Sequence, residues 1–289
     1  MDNIKVIKAP VLKKRALNAH KGTFGTALLI NGSYGMAGAA ILSVRSCLRS
    51  GIGIAKMCVP DRIYDIIASA VPEAVALPVA ATPEGMFSFA DAEKILSALT
   101  GVSCIVFGCG IGQGKDNALI LELLIKNAKC PLIIDADGIN TLYPHINIIR
   151  QANAPVILTP HPGEMARLCG KSIAEIEADR VSTAKTFAEK HKVYLVLKGS
   201  GTVVATPEGE IYINETGNPG MATGGSGDTL TGIMAALISR DKDITRAVTN
   251  AVYIHGKAGD MAAERLSETA MIPSDIIDEL PCLFKTLER

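Results

Sequence analysis

The feature that most constrains this 289-residue chain is a rhythm of short, uninterrupted apolar runs separated by helical patterns. TALLIN (26–31), GIAKMCV (53–59), SCIVFG (103–108), PLIIDAD (131–137), PVILTPH (155–161) and YLVLKG (194–199) read as strands, and the last four close on Gly, Asp or His. GAAILSVRSCLRSG (38–51), NALILELLIKNA (117–128) and EIEADRVSTAKTFAEKHK (175–192) read as helices between them. Strands that are apolar on both faces must be covered on both faces, which predicts a mostly parallel sheet between two helical layers. TVVATPEGEIYIN (202–214) departs from the rhythm and reads as a β-hairpin. Beyond it only helices are expected, near 227–240, 243–265 and 274–286. With 48% hydrophobic residues, no repeat and no Ser- or Gly-rich linker, residues 1–289 are expected to form one domain.

In open parallel sheets, ligands sit outside the carboxyl ends of the strands. The segments to inspect are therefore NGSYGMAGAA (31–40), GCGIGQG (108–114), DADGIN (135–140), TPHPGE (159–164) and KGSGT (198–202). At one end of a sheet, these five loops would form a single crevice.

A sixth segment, GNPGMATGGSGDTL (217–230), leads into an apolar helix. Gly224, Gly225 and Gly227 let a ligand approach the main chain, and the unpaired N–H groups of the helix start suit an anion such as phosphate. Asp228 has two readings. It can cap the helix, or it can accept a proton from an attacking hydroxyl, the role that would justify a carboxylate beside a phosphate. His161, in TPHPGE, is similarly either structural or functional.

Other classes are disfavoured. The formal net charge is zero and aromatic residues make up 4% of the chain with no Trp, so neither nucleic acid nor an anionic membrane is expected as a partner. The seven cysteines form no CxxC pair and read as reduced, mostly buried thiols. No apolar signal-peptide core is visible near Met1, and the nearest candidate span, 36–59, is interrupted by Arg45, Arg49 and Lys56. A cytoplasmic location is expected. CGKS (169–172) has the tail of a phosphate-binding P-loop but Met165 stands where its first glycine belongs. GCGIGQG contains no GxGxxG match, and no HExxH occurs.

Together, NGSYGMAGAA, FGCGIGQG, DADGIN, LTPHPGE, LKGSGT and NPGMATGGSGDTLTGIMAAL resemble the ribokinase-like superfamily, and within it the ADP/ATP-dependent NAD(P)H-hydrate dehydratases. The resemblance spans most of the chain. It implies a three-layer α/β/α fold with a mostly parallel central sheet. It also implies a lyase that dehydrates the S form of NADHX or NADPHX, with ADP or ATP as co-substrate and Mg²⁺ as cofactor. Lys198, Gly199, Ser200, Gly201 and Thr202 would line the nucleotide. Asn218, Pro219, Gly220, Met221 and Ala222 would wrap its phosphates together with Thr223, Gly224, Gly225, Ser226 and Gly227. Asp228 would be catalytic and face the hydrated ring. His161, Pro162, Gly163, Glu164, Met165, Ala166 and Arg167 would contact the hydrate, with Ala39, Ala40 and Gly110 at the nicotinamide end.

Where relatives often read GPGLG, this chain reads GCGIG, with Cys109 in place of proline. The resemblance further implies a homo-oligomer, a tetramer in many relatives, and a functional link to an NAD(P)HX epimerase carried on a separate protein. A small-molecule kinase such as a hydroxyethylthiazole kinase and a non-catalytic nucleotide sensor are the competing readings.

Overall fold

The computed structural model describes residues 4–289. Its strands are β1 (Ile4–Val6), β2 (Thr26–Ile30), β3 (Ile54–Pro60), β4 (Val75–Val79), β5 (Cys104–Phe107), β6 (Leu132–Ile134), β7 (Val156–Leu158), β8 (Tyr194–Leu197), β9 (Val203–Ala205) and β10 (Ile211–Ile213). They form one sheet in the order β1-β10-β9-β8-β7-β6-β5-β2-β3-β4. From β8 to β4 every pairing is parallel. Only β9 runs against its neighbours, in the expected hairpin.

Strand residues alternate between two cores, as a period of two requires. Ala27 and Leu29 of β2 join one core, and Leu28 and Ile30 the other. The first core is covered by α1 (Ala37–Arg49) and α2 (Tyr64–Ala70), and later in the chain by α9 (Ser226–Arg240), α10 (Ile244–Leu266) and α11 (Pro273–Leu287). The second lies under α3 (Ala92–Ala98), α4 (Asn117–Asn127), α5 (Asp137–Leu142), α6 (Pro162–Cys169), α7 (Ile173–Ala178) and α8 (Arg180–His191). The result is the three-layer α/β/α arrangement. No helix among the described residues is long and apolar enough to cross a membrane.

Three features differ from the sequence reading. The helix expected over 175–192 is two helices, because Asp179 leaves helical geometry (φ −149°) and accepts a hydrogen bond from Ser182 N to start α8. Edge strand β4 escapes a pattern search because it contains Pro78, which an edge strand tolerates. Three-residue β1 is legible only through its partner, β10.

The strand order reverses direction between β5 and β2, and this is the point where an open parallel sheet parts its loops to form a crevice. Here Gly32 N donates to Cys109 O at 2.8 Å, Cys109 N to Asn31 Oδ1 at 3.2 Å, and Ser33 Oγ to Gly110 O at 2.8 Å.

Candidate active site

Helix α9 begins where its sequence permits. Gly225 is the N-cap at φ +98°, a left-handed conformation that glycine adopts without strain and other residues rarely do. Asp228 is the third helical residue and makes no capping bond, so the capping reading is set aside. The first-turn amides of α9 have no partner within the helix and carry its positive dipole end.

The segment before α9 is pinned to α10. Gly217 N donates to both oxygens of Asp260, at 3.1 and 3.2 Å, and Asn218 Nδ2 to Asp260 Oδ1 at 3.2 Å. Asn218 Oδ1 in turn accepts from Gly220 N at 3.0 Å. Thr216 Oγ1 donates to Tyr253 O at 3.1 Å.

Between this segment and the loop after β8 lies a cavity of about 740 Å³. Lys198 to Thr202 line one wall, and Asn218, Pro219, Met221 to Gly224, Ser226 and Gly227 another. His161 and Pro162 stand at one edge, and Val252, His255 and Gly256 of α10 close the back. The volume and the mixture of main-chain, hydroxyl and apolar groups suit a nucleotide.

On the far side of Gly227 the environment turns ionic. Lys198 Nζ binds Asp135 Oδ1 at 2.6 Å and lies 4.0 Å from Glu164 Oε2. Asp135 is 1% exposed. Ligand-type atoms of Cys109, Asp135 and Asp228 all fall within 4.8 Å of one another. Burial, then the charge of Asp135, pushes the Asp228 carboxyl up to about 6. Burial pulls Lys198 down, but the carboxylates of Asp135 and Glu164 outweigh it and hold the ammonium above its ordinary value. Burial also raises Glu164, with Lys198 opposing. The Cys109 thiol is driven far up by burial.

His161 is the N-cap of α6. Its Nδ1 accepts from Gly163 N at 3.0 Å, and its own N–H donates to Glu164 Oε2 at 2.8 Å. Burial and then Lys198 lower its pKa. His255 is pushed down to about 4 by burial and lies 3.4 Å from Ser226 Oγ. Arg167 Nη2 donates to Asn140 Oδ1 at 2.8 Å. Gly110 packs against Ala39, where a Cβ would stand 2.7 Å from the Ala39 Cβ. Met165 and Ala166 belong to the core beneath α6, and Ala40 to the core beneath α1, so these three side chains do not meet the cleft.

Sequence reasoning missed Asp135, His255 and Asp260. Asp135 ends a strand and stood in a segment already marked for inspection, but its bond to Lys198, 63 residues away, has no local signature. His255 and Asp260 sit in a helix that reads as packing. Ala136, directly after Asp135, is held at φ +48° and ψ −119°. Such an outlier costs about 1–3 kcal/mol and clusters at functional sites.

The Cys109, Asp135 and Asp228 group is a poor cage for Mg²⁺. One carboxylate oxygen is already committed to Lys198, and the third donor is a soft, protonated thiol.

A mostly parallel sheet between two helical layers, with a glycine-rich helix start beside a half-buried carboxylate, places the chain in the ribokinase-like class. A ribokinase-like superfamily protein of Enterococcus faecalis V583 matches with a TM-score of 0.85 and 27% identity, covering 99% of this chain and 96% of that one.

Residues 27–282 match the family model described as NAD(P)H-hydrate dehydratase, and the chain belongs to that family. The ADP-dependent (S)-NAD(P)H-hydrate dehydratase of Bacillus subtilis is 34% identical over 96% of this chain and 95% of its own length. A crystal structure of the ADP/ATP-dependent enzyme of that organism, co-crystallised with ATP and Mg²⁺, has a TM-score of 0.85 and 32% identity, covering 99% of both chains. The bifunctional NAD(P)H-hydrate repair enzyme of Moorella thermoacetica is 37% identical over 96% of this chain. The chain spans about half, 52%, of that relative's length.

Proposed function

We propose that this chain dehydrates the S form of NAD(P)H hydrate, NADHX or NADPHX, to NAD(P)H, using ADP or ATP as phosphoryl donor. The observation that carries the reading is the Asp228 carboxylate, half-buried beside the α9 N-terminus next to a nucleotide-sized cavity.

The hydrate carries a hydroxyl on the ring carbon next to nitrogen, and hydroxide is a poor leaving group at neutral pH. In the proposed sequence, the hydroxyl oxygen attacks the terminal phosphorus while its proton passes to Asp228. The bond from that phosphorus to the bridging oxygen breaks, and the nucleotide leaves one phosphoryl shorter. The ring nitrogen's lone pair then expels phosphate, which departs with the C–O electron pair. Loss of a proton from the adjacent ring carbon restores the dihydropyridine.

The first amides of α9 and the Lys198 ammonium face the region through which negative charge would move, and they need no reorganisation to meet it. Lys198 to Thr202 and Asn218 to Gly227 are the proposed nucleotide contacts. His161 to Glu164, Arg167, Ala39 and Gly110 are the proposed hydrate contacts. Mg²⁺, when bound, neutralises phosphate charge, and it is proposed to arrive on the nucleotide rather than in a protein cage. A cytoplasmic homotetramer, ADP as donor and a functional link to an NAD(P)HX epimerase complete the proposal. Family membership favours it over a hydroxyethylthiazole kinase, and the Asp228 carboxylate beside the helix start favours it over a sensor that only binds nucleotide.

Incubation with NADHX and ADP is expected to restore the NADH absorbance band with release of inorganic phosphate. Asp228→Asn should lower kcat by roughly 10²–10⁴-fold, the worth of a general base, with ADP affinity retained. A variant that turns over like the wild type would refute the role given to Asp228.

A further inference from the structure

At the edge of the cavity, close to Asp228, stands a part-buried ion pair of which only the lysine has so far been given a task. The geometry points to Asp135 as a positioning residue of this site. One of its carboxylate oxygens clamps the Lys198 ammonium at the threshold between cavity and Asp228, while its charge bears on Asp228 directly. The inference rests on the phosphoryl-transfer reading above.

Lys198 is a point charge on a flexible four-carbon stem, and unheld it would sample many rotamers. Asp135 Oδ1 holds it at 2.6 Å. The place a Cβ on Gly227 would take is 3.3 Å from Lys198 Nζ and 3.5 Å from Asp135 Oδ2, so the pair lies directly under the first turn of α9. Lys198 also lines the cavity, so its ammonium stands beside both the cavity and the turn of α9 that carries Asp228.

Asp135 is itself fixed. Its N–H donates to Phe107 O at 3.1 Å and its carbonyl accepts from Gly138 N at 2.8 Å. The strained Ala136 follows it at once, and strain of this kind persists only where the surroundings over-determine it.

The charged and titratable groups facing Asp228 come from three strand ends: Cys109 after β5, Asp135 and Asp137 after β6, and Lys198 after β8. Glu164 of α6 faces Lys198 rather than Asp228. After burial, the charge of Asp135 is the strongest influence keeping the Asp228 proton on. Asp135 therefore acts on the reaction twice, by placing a cation and by strengthening a base.

The test compares Asp135→Asn, Asp135→Ala and Asp135→Glu. Asparagine keeps an oxygen for Lys198 but removes the charge; alanine removes both. In the nucleotide-free protein, the carboxyl ¹³C resonance of Asp228 is titrated by NMR. Its midpoint should fall by about one pH unit in Asp135→Asn, the direction expected when a like charge is removed. In Lys198→Met the midpoint should rise instead, which keeps the charge coupling testable if the Asp135 variants do not fold.

Under turnover, Asp135→Ala should lose roughly 10²-fold in kcat, as misplacement of a catalytic cation does. Asp135→Glu should recover part of the rate. In a Lys198→Met background, Asp135→Ala should lower kcat by no more than about threefold further, because its target is gone. An Asp228 midpoint unmoved by both substitutions, or an Asp135→Ala kcat within about threefold of wild type, overturns the proposal. Should the wild type fail to convert the hydrate, the phosphoryl-transfer reading fails, while the carboxyl titration still reports on the coupling.

Discussion

At the scale of single residues, Asp228 carries the most specific consequences. Its folded-state pKa of about 6 lies above its ordinary value of 3.8, so the folded protein favours the protonated acid. The stability this group contributes is therefore full below pH 3.8 and lost as pH rises through about 6. Asp228→Asn removes that loss. Its melting temperature at pH 8 should exceed that of the wild type by a few degrees, and scans at pH 4 should bring the two together. In the proposed mechanism activity runs the other way, because Asp228 must be ionised to act as a base. The kcat/KM of the wild type should fall as pH drops below about 6, the value burial gives this carboxyl. Ala136 offers a second residue-scale check. Glycine accepts φ +48° without penalty, so Ala136→Gly should stabilise the protein by about 1 kcal/mol in urea titrations, net of glycine's greater freedom when unfolded.

At the scale of elements, α9 is the part on which the site depends. Its middle is sunk between α1 and the sheet, with Ile233 to Ala236 fully buried. Gly232 makes that depth attainable, because a Cβ there would collide with Ser43 O and Ser46 Oγ of α1. Gly232→Ala should therefore cost about 2 kcal/mol or more by denaturant titration, and activity should fall with the displaced helix start. The segment before α9 answers to α10. Asp260→Ala frees the Gly217 and Asn218 groups that the carboxylate holds, so the KM for nucleotide should rise several-fold while kcat changes less. A variant with unchanged KM would mean that this clamp is not what shapes the cavity wall. The sequence reading of 175–192 as one helix failed at this same scale. Asp179 prefers to cap α8 through Ser182 N, and a local hydrogen bond there outbids one more helical turn.

At the scale of the whole molecule, the proposed nucleotide cavity and the acidic cluster are separate compartments meeting at Gly227 and Lys198. Nucleotide binding should then survive loss of the chemistry. Saturating ADP, at one hundred times Kd, should add about 2.7 kcal/mol and raise the melting temperature by several degrees, equally in wild type and Asp228→Asn. A thermal shift abolished by Asp228→Asn would join the compartments and contradict this division. Much of the fold was legible beforehand for a simple reason. Burying a strand on both faces demands a continuous apolar run, so TALLI, CIVF and YLVL declare the sheet, and the polar residues closing those runs declare which end opens to ligand. The glycine-rich approach to α9 marks, by the same local chemistry, the anion site proposed there. The pairing of Lys198 with Asp135, the placement of His255 and Asp260 behind the cavity, and the shift of Asp228 toward neutral pH have no local signature. They depend on contacts between residues far apart in the chain and on how much water the packed fold excludes around each charge. The apolar pattern of the sequence determined the layers and the ligand-facing edge; only the tertiary structure decided which charges meet there, because electrostatic strength is set by distance and burial, and neither exists until the chain is folded.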